Sequence, residues 1–215
     1  LTDLNEKVQI AAIETVGILR YAEAQPRLRE ALGRAKNNRV RRAALGALGM
    51  IPDESNRALF DMYIANRDEG LRAAAAEGIG RLGKTEDLPK IEKMFNDEQK
   101  KTAQLSLAFA AVMLGKREMT QFSPLDYLIS SLNNSSWAGV AAPFLEELAR
   151  NREVRESLYP NLSQRTSAEK TELARILALS GDQATVKVLE DLSRDPDAQV
   201  GLVATRWLGV LRSRL

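Results

Sequence analysis

The sequence predicts an all-α protein, an α-solenoid (superhelix) of stacked antiparallel helical hairpins about six and a half repeats long. Three observations predict it. An amphipathic pattern of apolar and small side chains recurs about every thirty-two residues. Each copy is followed by a turn and a second segment of helical spacing, and sustained alternation, the mark of strands, is missing.

The first elements follow from one template. Val40, Ala43, Ala44, Ala47 and Leu48 fill slots i, i+3, i+4, i+7 and i+8, the apolar stripe of a helix. Val8, Ala11, Ala12, Thr15, Val16 and Leu19 fill it upstream, and Leu71, Ala74, Ala75, Gly78, Ile79 and Leu82 fill it next. Ala103, Ser106, Leu107, Ala110, Ala111 and Leu114 follow, then a weaker copy from Trp137 to Leu148. A sixth copy has Glu169 in its first apolar slot, and a seventh runs from Val200 to Leu211. First slots thus fall at 8, 40, 71, 103, 137, 169 and 200.

Turns come next. Gly49, Gly83, Gly115 and Gly181 are each placed where a helix closes, and glycine takes the left-handed closing conformation without a Cβ clash. Second helices then carry Leu28, Ala31 and Leu32; Leu59, Met62 and Tyr63; Leu88, Ile91 and Phe95; Leu125, Leu128, Ile129 and Leu132; and Leu189 and Leu192. Polar runs at 36–39, 66–69, 96–98 and 195–197 reset the phase, with Asn and Asp as caps, Pro196 in a first turn, and Thr166 with Glu169 as a capping box. Small residues such as Ala74 and Ala75 let neighbouring helices approach, and a hairpin that cannot hide both flanks must stack on its siblings.

Composition limits function. The chain has 215 residues, 44% apolar and 28% charged, which suits a soluble globular protein, and no apolar run approaches the ~20 residues of a spanning helix. It has no Cys and no His, so disulfides, Cys/His zinc sites and imidazole bases are excluded. Lys and Arg number 31 against 29 Asp and Glu, so global charge does not announce nucleic acid. The opening Leu1-Thr2-Asp3-Leu4 carries no readable address and reads as a processed or excised piece, with the compartment unknown. The array is expected either to belong to a longer one or to be closed by the Val200–Leu211 helix.

The runs Val40-Arg41, Ala43-Ala44-Leu45 and Leu48-Gly49, their counterparts from Leu71-Arg72 to Gly83, and Gly181-Asp182-Gln183-Ala184 resemble HEAT repeats. They are similar to the short bacterial type also seen in phycobilisome lyase subunits. The resemblance is strongest over 5–115 and poor over 116–165. It implies a single solenoid over 1–215, with repeats beginning near 5, 37, 67, 98, 134, 166 and 196 and a longer or degenerate region at 116–136. It also implies that second helices line a concave surface.

Two motifs carry chemistry elsewhere. Gly78 to Thr85 satisfies the phosphate-loop pattern GxxxxGK[ST], but that loop must leave a strand, and the residues ahead of it form a strong helix. Ser167-Ala168-Glu169-Lys170 matches the SxxK of penicillin-interacting serine enzymes, yet its companion elements are missing. Adjacent carboxylates such as Glu146-Glu147 diverge on a helix and read as solvated faces. Eight basic residues between Arg20 and Arg42 form the one notable charge cluster. Trp137 and Trp207 fall in core slots, while Tyr63, Phe95 and Tyr127 read as exposed anchors.

The expected function is a non-catalytic scaffold that binds a protein or peptide along its second-helix surface, with Arg27, Arg34, Tyr63, Lys90 and Lys93 as candidate contacts. No enzyme activity, cofactor or metal is called for. Two alternatives stay open: nucleic-acid binding, as in HEAT-like DNA glycosylases, and a lyase-type subunit holding a tetrapyrrole. Partner identity and oligomeric state are not readable from the chain.

Overall fold

The computed structural model describes residues 5–215; the opening four, read above for an address, lie outside the described residues. Those described form helices and no strand, as the periodicity predicts. The helices are α1 (Glu6–Ile18), α2 (Gln25–Arg34), α3 (Asn38–Met50), α4 (Arg57–Tyr63), α5 (Glu69–Leu82), α6 (Leu88–Asp97), α7 (Lys101–Met113), α8 (Pro124–Ser130), α9 (Ser135–Leu148), α10 (Arg152–Leu158), α11 (Ser167–Ser180), α12 (Gln183–Leu192) and α13 (Ala198–Arg212). They group into two compact units divided after Gly115, and within each unit the hairpins stack in order, an α-solenoid arrangement.

In the first unit the odd-numbered helices form one layer. Their backbones nearly touch where the residue is small: a Cβ on Gly17 would lie 2.8 Å from the Ala47 Cα, one on Gly49 3.1 Å from the Gly78 Cα, and one on Gly80 2.8 Å from the Ala110 Cα. These glycines recur at steps of 32 and 31, a signal within the repeat that the slot pattern overlooks. The even-numbered helices cover the other side by inserting pairs one turn apart: Leu28 and Leu32, Phe60 and Ile64, Ile91 and Phe95. Each such side chain contributes about 1.5–3 kcal/mol of burial.

Polar bonds hold each hairpin in register with the next. In the even layer Arg29 donates from Nε to Asn56 Oδ1 at 2.9 Å, and Arg57 grips both carboxylate oxygens of Asp87 at 2.7 Å. In the odd layer Arg42 Nε donates to Asp68 at 2.7 Å, and Arg72 donates to Glu98 at 2.7 and 2.9 Å. Asp68 also caps α5 by accepting from the Leu71 N–H at 3.0 Å, so one carboxylate ends a helix and ties it to its neighbour. The second unit repeats the device: Lys170 Nζ to Asp195 at 2.7 Å, and Arg155 to Asp182 and to the carbonyls of Ala149 and Ser180.

Several expectations need correction. Helix α4 and its C-cap bury Phe60 (1% exposed) and Ile64 (2%), whereas Met62 is 67% exposed, because the Phe60 ring fills the space above Gly78. Val8 in α1 (50%) and Leu19 just after it (71%) stand in solvent and Ile13 and Gly17 are buried instead, since α1 has a stacking neighbour on one side only among the described residues. Gly83 and Gly115 take positive φ of 72° and 115°, but Gly49 lies inside α3 and Gly181 has φ −76°. Pro196 precedes the Asp197 cap of α13 and is not in the helix. Trp137 and Trp207 are half-buried. Helix α10 was not foreseen, although Asn151 caps it from both Glu153 and Val154 and Val154 and Leu158 are one turn apart.

Candidate functional site

The first unit carries an open groove of about 600 Å³ on its odd-helix layer. Helix α3 supplies the floor with Ala43, Gly46, Ala47 and Met50, and α1 and α5 supply the walls. The three helices are parallel: the Asn38 and Arg42 side chains near the start of α3 bond Asp68 at the start of α5, and Gly49 near the end of α3 meets Gly78 in the second half of α5. The depth comes from missing side-chain atoms. A Cβ on Gly46 would find nothing within 4 Å, while Gly70 leaves room for the Arg42 guanidinium, whose atoms lie 2.5 Å from where a Cβ would be.

Glu14, Gly46 and Glu77 hold the equivalent position in three successive copies, so a carboxylate rises on each wall with the bare glycine between them. Glu77 is fixed by Ser106 Oγ at 2.9 Å and by Arg81 at 3.3 Å, and Arg81 in turn lies over the Phe109 ring at 4.8 Å. Glu14 is exposed and has no side-chain partner among the described residues. Arg39 and Arg42 border the end where the helices start; Arg39 meets Glu6 at 3.2 Å and Arg42 is held by Asp68. The hydrogen bonds from Arg42 hold the Asp68 carboxyl well below the usual carboxylate range.

This groove lies on the layer opposite to the one expected for binding. The predicted contacts Arg27, Arg34, Lys90 and Lys93 are exposed on α2 and α6, and Tyr63 is half-buried on α4. Three of them are engaged with acids on the surface: Arg34 with Glu30 at 2.6 Å, Lys90 with Asp61 at 3.1 Å and Lys93 with Asp97 at 3.2 Å. Of the other proposed anchors, Phe95 is only 5% exposed because it is the inward residue of α6, and Tyr127 is half-buried, its phenol pushed up to about 12 by that burial. The basic cluster is largely spent on structure, with Arg29, Arg34, Arg39 and Arg42 all bonded to neighbouring side chains.

The two borrowed motifs dissolve in the same way. Gly78 to Leu82 lie within α5, where backbone N–H groups are already bonded along the helix, so no phosphate cradle forms. Ser167 opens α11 and bonds Asp197, while Lys170 is committed to Asp195. Glu169, the charged residue in an apolar slot, is buried as half of the predicted capping box and accepts from Asn133 at 2.7 Å.

Residues 1–62 match the family of HEAT repeats, the stretch that builds α1 to α4. That stretch is similar to HEAT repeats. No curated protein matches the sequence. Among solved structures, the chain is similar to human deoxyhypusine hydroxylase in complex with glycerol, at 18% identity over 99% of this chain and 82% of that one, with a TM-score of 0.38. At that score the likeness bears on neither the fold nor the activity. Among the described residues no helix is long and apolar enough to cross a membrane.

Proposed function

We propose that the chain is a non-catalytic protein-binding scaffold that holds a segment of its partner in the groove over α3. The observation that carries this is the empty space above Gly46, on a floor of small side chains between two walls. HEAT repeats generally mediate protein interactions, which supports the same reading. The mechanism is preorganisation. The close packing of α1 on α3 at Gly17 and the Arg42 bonds from α3 to Asp68 of α5 already fix the three helices, so little ordering remains to oppose association.

The test places a photoreactive phenylalanine at Ile18, which is exposed on the edge of the groove, or at Lys93 in the whole chain, followed by irradiation in an extract of the native cell. Adducts with a protein from Ile18 and not from Lys93 are expected. Adducts from Lys93 alone would return the site to the second helices, and none from either position would discard the scaffold reading.

A further inference from the structure

We infer that the occupant of the groove is a single amphipathic helix, lying antiparallel to α3, with an apolar row over Ala43 and Gly46 and a lysine or arginine on the flank that faces Glu14. This rests on the scaffold reading above and names the chemistry of the partner.

The shape argues for a helix. Within this layer, neighbouring helices already meet by setting one ridge against a row of Gly and Ala, as α3 and α5 do at Gly49 and Gly78. Ala43 and Gly46 continue such a row on the part of α3 left open between the walls, with Ala47 beneath it already packed against Gly17 of α1. Among the described residues there is no strand, so an extended peptide would have no sheet edge to bond.

Charge sets the flank. On the α5 wall the Glu77 carboxylate is balanced by Arg81, whereas on the α1 wall Glu14 is exposed with no side-chain partner among the described residues. A cation brought beside Glu14 gains an attraction that nothing else in the groove offsets, while a second carboxylate there would be repelled. Direction follows from the helix ends. The starts of α1, α3 and α5 lie at one end of the groove, each with a partial positive charge, and Arg39 and Arg42 stand at that end. Arg39 is 70% exposed and its link to Glu6 is a surface pair of small worth, so it can turn to terminal carbonyls. A helix presenting its C-terminus there is favoured over the reverse.

The test uses a displayed library of helices about as long as α3, which has 13 residues, with the apolar row fixed and both flanks varied among Lys, Glu, Gln and Ala. It is selected on the whole chain and counter-selected on Gly46→Trp, with circular dichroism confirming that this variant keeps its helices. The expected winners carry Lys on one flank and bind Gly46→Trp at least tenfold more weakly by fluorescence anisotropy. Glu14→Lys, a change at an exposed position, should reverse the preference and select Glu on that flank. Winners indifferent to Glu14→Lys, winners that bind Gly46→Trp equally well, or no enrichment at all would overturn the helix. If the probe at Ile18 still forms protein adducts in the extract while no helix is enriched, the scaffold stands and its occupant is not this one; if adducts are missing as well, both fall.

Discussion

Gly46 and Gly78 sit in helices one repeat apart, and what stands above each decides its response to the same substitution. Gly46→Ala meets open space and removes the conformational cost of glycine in a helix, so a gain of roughly 0.5–1 kcal/mol is expected. Gly78→Ala would put a methyl 2.5 Å from the Phe60 ring, which is buried and cannot withdraw, so a loss of about 1–3 kcal/mol is expected. Thermal melts of the two variants check this, and equal shifts would refute the account of the groove floor. Phe122 presents a different case. Its φ is 65° and its ring lies in solvent, so the backbone strain is not repaid by packing. Asn tolerates that conformation, and Phe122→Asn should raise stability by about 1 kcal/mol in urea titration; a fall would mean that the ring has a contact elsewhere.

At the scale of the element, the ladder of charged bonds separates pairs that matter from pairs that do not. Arg72 is mostly buried, bonds both oxygens of Glu98 and also holds the carbonyls of Asn66 and Arg67. Arg72→Ala leaves all of these groups unsatisfied and should cost about 3 kcal/mol or more, whereas Arg34→Ala, which breaks an exposed pair within α2, should cost under about 1 kcal/mol. Similar losses for the two would count against the ladder. The helices themselves were legible in the sequence, because slots 31 to 34 residues apart mark every odd helix and Thr166 with Glu169 mark a start. The phase within a helix was less so. Burial of Phe60 over Met62 depends on a glycine in another hairpin, and α10 rests on two apolar residues too few to stand out as a period. The groove was hidden for the same reason: a half-buried Ala43, Gly46 and two Glu do not stand out until three copies lie side by side.

At the scale of the molecule, the same carboxylates couple the stack to pH. The Arg42 bonds lower the Asp68 carboxyl; burial alone would raise Glu98, but Arg72 and the N–H groups of Gln99 and Lys100 outweigh it and the net shift is downward. Both groups therefore bind protons less readily when folded than when unfolded, where carboxylates titrate near pH ~4. Their stabilisation is complete above that value and is lost as pH falls through the lower folded values. Denaturation midpoints should thus hold from pH 7 to about 5 and drop steeply below about 4, and Arg72→Ala should flatten that drop. Repeat stacks also draw stability from nearest neighbours alone, and the first unit closes its own layers: α3, α5 and α7 are each seated on the preceding odd helix, and α2, α4 and α6 cover them. Residues 1–115 expressed alone should therefore show a helical far-ultraviolet spectrum and a cooperative melt. A spectrum without helix, or a melt without a transition, would mean that the unit borrows its order from residues 116–215 and that the groove is not self-contained.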